Sequence, residues 1–107
     1  MAFLKNLYRG EKLKKSNSQL IAKLKRHKPA MGTNVIALSG NSRDQLDIFP
    51  AALFYQSERI LNDIRVVGFA ADEEDARNLV ISILRETLEE TGDCNIRAYL
   101  QEKELRG

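Results

Sequence analysis

The chain has 107 residues, 43% hydrophobic and 30% charged, with 2 Pro and 1 Cys. That length suits one domain, and the composition is too apolar for a disordered tail and too charged for a membrane-embedded protein. The net charge of +2 conceals a division. Residues 1–30 carry nine Lys/Arg against Glu11, whereas residues 31–107 carry eight Lys/Arg against fourteen Asp/Glu, so a basic segment precedes an acidic body.

Taken in chain order, Phe3, Leu4, Leu7 and Tyr8 fall at helical spacing, and Gly10 ends the short helix they predict. Ser16, Asn17 and Ser18 offer an N-cap for a second short helix. That helix places Leu20, Ile21 and Leu24 on one face and Lys23, Lys25, Arg26, His27 and Lys28 on the rest. Pro29 stops it, since proline lacks the N–H and disfavours helix in the residue before it. Thr33 to Ser39 reads as a strand, Gly40 to Asp44 as a turn, and Gln45 to Phe49 as a returning strand, together a hairpin from Asn34 to about Phe49. Pro50 predicts that the second strand ends there or lies at a sheet edge.

Residues 51–62 fit a helix with Leu53, Phe54, Ser57, Ile60 and Leu61 on one face, although Leu53 to Gln56 also fit an extension of the strand. Ile64 to Ala70 is nearly continuous apolar sequence, as a buried central strand requires. Asp72 to Thr91 is the strongest helix. Asp72 caps it, Glu73, Glu74 and Asp75 complement the dipole, and Ala76, Leu79, Val80, Ile83, Leu84 and Leu88 recur at three- and four-residue steps. Gly92 is its left-handed cap. Asn95 to Leu100 alternates Ile96, Ala98 and Leu100 against Arg97 and Tyr99, which predicts a last strand before a frayed polar tail.

The expected architecture is therefore a small α+β domain over residues 31–107. Its three- to four-stranded mixed sheet, in the order β-β-α-β-α-β, is packed by an amphipathic helix and preceded by a basic helical arm over residues 1–30. No segment approaches the ~18 consecutive apolar residues of a membrane span. The basic start has no apolar stretch behind it, so no secretory signal is expected. The single Cys94 forbids an intrachain disulfide, suits a cytoplasmic protein, and beside a strand reads as a small buried hydrophobe.

Catalytic and metal sites are not expected. His27 stands in a Lys/Arg run without a visible base or nucleophile, and one histidine with one cysteine cannot close a zinc shell. The run Asp72 to Asp75 lacks the spaced oxygens and glycine of a calcium loop and reads as helix capping. The turn at Gly68 to Ala71 has one glycine and a carboxylate-rich helix mouth behind it, which would repel a phosphate. Ser39 to Ser42 lacks the lysine of a phosphate loop, and no cofactor is expected.

The sequence leaves the basic segment as the feature to explain. It suits phosphate contacts from Lys14, Lys15, Lys23, Lys25, Arg26 and Lys28, or an amphipathic segment on an anionic membrane with Phe3, Leu4 and Leu7 inserted, or a helix docked on its own domain with solvated lysines. The leading expectation is a small non-enzymatic accessory protein that works through protein–protein contacts, including a homodimer through an exposed sheet edge or the amphipathic helix. The alternative is nucleic-acid binding through residues 1–30.

Overall fold

The computed structural model describes residues 2–26, 28, 30–39, 46–52 and 64–106. In chain order these form β1 (Ala2–Arg9), α1 (Asn17–Lys25), β2 (Asn34–Ser39), β3 (Asp47–Pro50), β4 (Ile64–Ala70), α2 (Glu73–Thr91) and α3 (Ile96–Arg106). The four strands make one mixed sheet in the order β1-β4-β2-β3. β1 lies parallel to β4, while β2 is antiparallel to both β4 and β3.

β4 is central because its sequence is apolar on both sides, and the helices use both. Val66 and Phe69 join Val35, Ala37, Leu20 and Leu24 in a core beneath α1. Val67 and Ala70 join Ile36, Leu38, Ala76, Leu79, Ile83, Ile96 and Leu100 in a second core beneath α2 and α3. The β2–β4 register jumps from Ile36↔Gly68 to Ala37↔Val66, leaving Val67 as an extra residue in β4. The β2–β3 hairpin pairs Val35 with Phe49 and Ile36 with Ile48, and β3 ends the sheet order with Pro50 as its last residue, as the sequence predicts.

Two elements differ from the sequence expectation. The first segment is strand β1, not a helix. Leu4 packs into the α2/α3 core and Phe3 against the α1 core, so the apolar residues serve two faces of a strand covered on both sides. Close approach to β4 depends on Gly68, where a Cβ would lie 2.5 Å from the Tyr8 carbonyl oxygen. Residues 96–106 are helix α3, not a strand and frayed tail. Ile96 and Leu100 are buried as an i, i+4 pair, Ala98 is exposed, and the Asn95 Oδ1 accepts the Ala98 N–H at 3.1 Å, an N-cap. Cys94 consequently sits in the α2–α3 connection and is exposed rather than buried. The element order is thus β-α-β-β-β-α-α among the described residues. The turn at 40–44 lies outside them, and of the helix expected at 51–62 only Ala51 and Ala52 are described, in a single 3-10 turn.

α2 follows its sequence closely. The Asp72 side chain accepts the Asp75 N–H at 2.7 Å, and Gly92 at φ 72° donates its N–H to Leu88 O. Asp75 itself is buried, accepting the Ala71 N–H at 2.9 Å and the Lys12 N–H at 3.3 Å, which ties the loop after β1 to the start of α2. Among the described residues no helix is long and apolar enough to cross a membrane.

Candidate anion-binding face

The basic face is organised by α1, whose placement starts in β1. The Arg9 guanidinium donates to Asn17 Oδ1 at 2.7 Å, to the Lys15 carbonyl at 2.9 Å and to the Leu13 carbonyl at 3.5 Å, folding residues 10–17 back over the strand. Ser16 and Gln19 then form a capping box. The Ser16 hydroxyl accepts the Gln19 N–H at 3.2 Å, and the Gln19 side-chain oxygen accepts the Ser16 N–H at 3.4 Å. At the other end Arg26 N–H reaches Ala22 O at 3.1 Å and Lys28 N–H reaches Lys23 O at 2.8 Å, satisfying carbonyls the helix would leave open.

Leu20 and Leu24 face the core, so the side chains one helical turn apart on the adjoining face are set together. Lys15, Gln19, Lys23 and Arg26, with Lys28 from the segment that follows and with Leu20 and Ala22, line a cavity of about 360 Å³. Lys15 also donates to Met31 O at 2.6 Å, which holds the entrance loop against the approach to β2. Among the described residues no carboxylate lines this cavity or pairs with its four cations.

Four of the six cations expected to contact phosphate therefore converge on one volume: Lys15, Lys23, Arg26 and Lys28. Lys14 is exposed outside it, and Lys25 is directed toward β1, its ammonium 5.9 Å from the Phe3 ring. Two other basic residues of the segment have partners elsewhere. Lys12 stands 3.5 Å from Glu74 and 3.8 Å from Asp72, and Arg9 is committed to the loop. Gln19 belongs to the cavity although sequence reasoning did not single it out; its signal is the four-residue spacing to Lys15 and Lys23.

A second polar cluster joins three elements on the opposite side of the sheet. Glu86 of α2 accepts hydrogen bonds from Tyr8 of β1, from Tyr99 of α3 at 2.8 Å and from Lys103 of α3 at 3.2 Å. Lys103 also donates to the Tyr8 hydroxyl at 3.0 Å, with its ammonium 5.0 Å from the Tyr8 ring and 5.8 Å from that of Tyr99. Burial, followed by the bond to Glu86 and its charge, raises Tyr8 well above the ordinary phenol range and pushes Tyr99 up to about 12. For Glu86 burial works upward, but the bonds from Tyr8, Tyr99 and Lys103, with the Lys103 charge, outweigh it and hold the carboxyl below its usual range. Each polar group in the cluster is bonded to another, so the arrangement acts as a latch between β1, α2 and α3. Among the described residues no group of three or more His, Cys, Asp or Glu side chains is placed to hold a metal ion.

No family model matches the chain, and no curated protein or solved structure matches it either.

Proposed function

We propose that this chain is a small non-enzymatic, cytoplasmic binding protein whose contact surface is the cationic face of α1, and that its ligand is nucleic acid held through its phosphates. The observation that carries the reading is the convergence of Lys15, Lys23, Arg26 and Lys28 on a single cavity whose described lining holds no carboxylate. Four cations without a carboxylate partner stand on a backbone fixed by the Arg9 clamp and the capping box, so less backbone entropy is lost when a polyanion binds. The clustered ionisable groups on the opposite side of the sheet bond one another, which supports a holding role for them rather than a chemical one.

The test is charge reversal in two places. Lys23→Glu with Arg26→Glu removes oligonucleotide binding measured by fluorescence anisotropy at low salt. Lys14→Glu with Lys25→Glu, an equal charge change outside the cavity, leaves most of it. Equal losses from the two variants would contradict the assignment.

A protein-contact reading has its own observation. Ile81 and Leu88, seven residues apart on α2, are 52% and 42% exposed and continue a stripe through half-buried Leu84. A homodimer through that face predicts a concentration-dependent mass in sedimentation that Ile81→Lys abolishes. A monomer at every concentration would contradict it.

A further inference from the structure

We infer that the α1 site takes an unpaired nucleic-acid strand in preference to a duplex, reading its backbone and not its bases; this rests on the function proposed above. Lys15, Lys23 and Arg26 follow one side of α1, and Lys28 closes the row from the segment after it. Together they line an open concavity of about 360 Å³, near the lower end of the range that admits a compact ligand. A duplex is a stiff rod whose major groove alone is about 12 Å wide. Resting on the rim, it would meet only the outermost ammonium groups. A single strand bends, and one or two of its phosphates can enter the cavity while neighbouring phosphates meet the remaining cations of its lining.

The described lining also limits what is read. It contains no aromatic ring on which a base would stack, and Phe3 packs against the α1 core under Lys25. Gln19 is the uncharged polar side chain among the described lining, and its oxygen is engaged with the Ser16 N–H. Recognition is therefore through charge, with little preference among sequences.

Four phosphate contacts set the salt dependence. For a single strand the slope of log affinity on log salt is about −0.7 per contact, hence about −2.8 in all, which is roughly a 50-fold loss between about 50 mM and about 200 mM salt. Removing two contacts halves the slope and leaves roughly a 7-fold loss over the same range.

The experiment is anisotropy on the full chain with labelled single strands of about twelve nucleotides, the matching duplex, and adenosine monophosphate as unlabelled competitor. The wild type and Lys23→Ala/Arg26→Ala are compared at both salt concentrations. The inference predicts tighter binding of the strand than the duplex, similar affinity for unrelated sequences, the 50-fold and 7-fold salt losses, and no displacement by the mononucleotide at equal phosphate concentration. Duplex binding equal to or tighter than strand binding overturns the inference and leaves the proposed function standing. Displacement by the mononucleotide overturns it in favour of a small phosphate ligand. Absence of all binding at low salt overturns the proposed function with it.

Discussion

Glu86 is the residue whose removal tests the packing of this fold most sharply, because one carboxylate holds β1 and α3 to α2. It accepts from Tyr8, Tyr99 and Lys103. The Lys103 pair is discounted first, since the two side chains are 45% and 35% exposed and water screens them, leaving about 0.5 kcal/mol. The two phenol bonds are part-buried and end on a charged acceptor, so about 1–1.5 kcal/mol each is a reasonable share, and Glu86→Ala should cost about 3 kcal/mol. Glu86→Gln keeps an acceptor and loses the charge, for about half that. The assay is urea denaturation followed by circular dichroism near neutral pH. With a slope of about 1.5 kcal/mol per molar, the alanine variant moves the midpoint down by about 2 M. A change below about 0.5 kcal/mol would refute the latch.

The same cluster sets a pH dependence whose sign can be worked out. Glu86 titrates below its usual range in the folded state, so its contribution is complete above the ordinary carboxylate value and disappears as pH falls through the lowered one. Tyr99 is raised from 10 to about 12, so its contribution is complete below 10 and is lost as pH rises toward 12. Wild type should thus lose stability at both ends, and Glu86→Gln should flatten the difference.

Two further substitutions examine particular elements. Gly68→Ala places a methyl against the Tyr8 carbonyl, which is backbone and cannot swing away, so we expect a loss of about 2 kcal/mol or more and a lower urea midpoint; wild-type stability would contradict the β1–β4 contact. Ala98→Lys lies on the exposed side of α3 and should change stability by less than about 0.5 kcal/mol, whereas a strand with Ile96, Ala98 and Leu100 inward would lose several times as much.

Those residues also show where the fold was legible. α2 was readable end to end because its cap, acidic first turn, apolar periodicity and terminal glycine agree with one another. β4, the β2–β3 hairpin and the start of α1 are readable for similar local reasons, whereas α1 ends at Lys25, short of the stop expected at Pro29. β1 is not readable, because a strand covered on both faces loses the two-residue alternation, and its Phe3, Leu4, Leu7 and Tyr8 then fit helical spacing equally well. α3 resembles a strand because Ile96 and Leu100 satisfy both periods; the deciding signal is the Asn95 cap followed by the helix-forming Gln101 to Glu104. For the candidate site, the excess of positive charge was visible in composition. Which four cations share a cavity depended on the burial of Leu20 and Leu24, and Lys25 fell to the Phe3 side of that division. The Glu86 cluster was invisible because Tyr8 lies 78 residues away and meets it only once β1 takes its place in the sheet.

Amide chemical-shift mapping with a short single-stranded oligonucleotide locates the binding surface on the molecule. Perturbed amides should cluster from Lys15 to Lys28, and the shifts should fade with added salt. Perturbations centred on α2 and α3, with residues 15–28 unmoved, would contradict that placement.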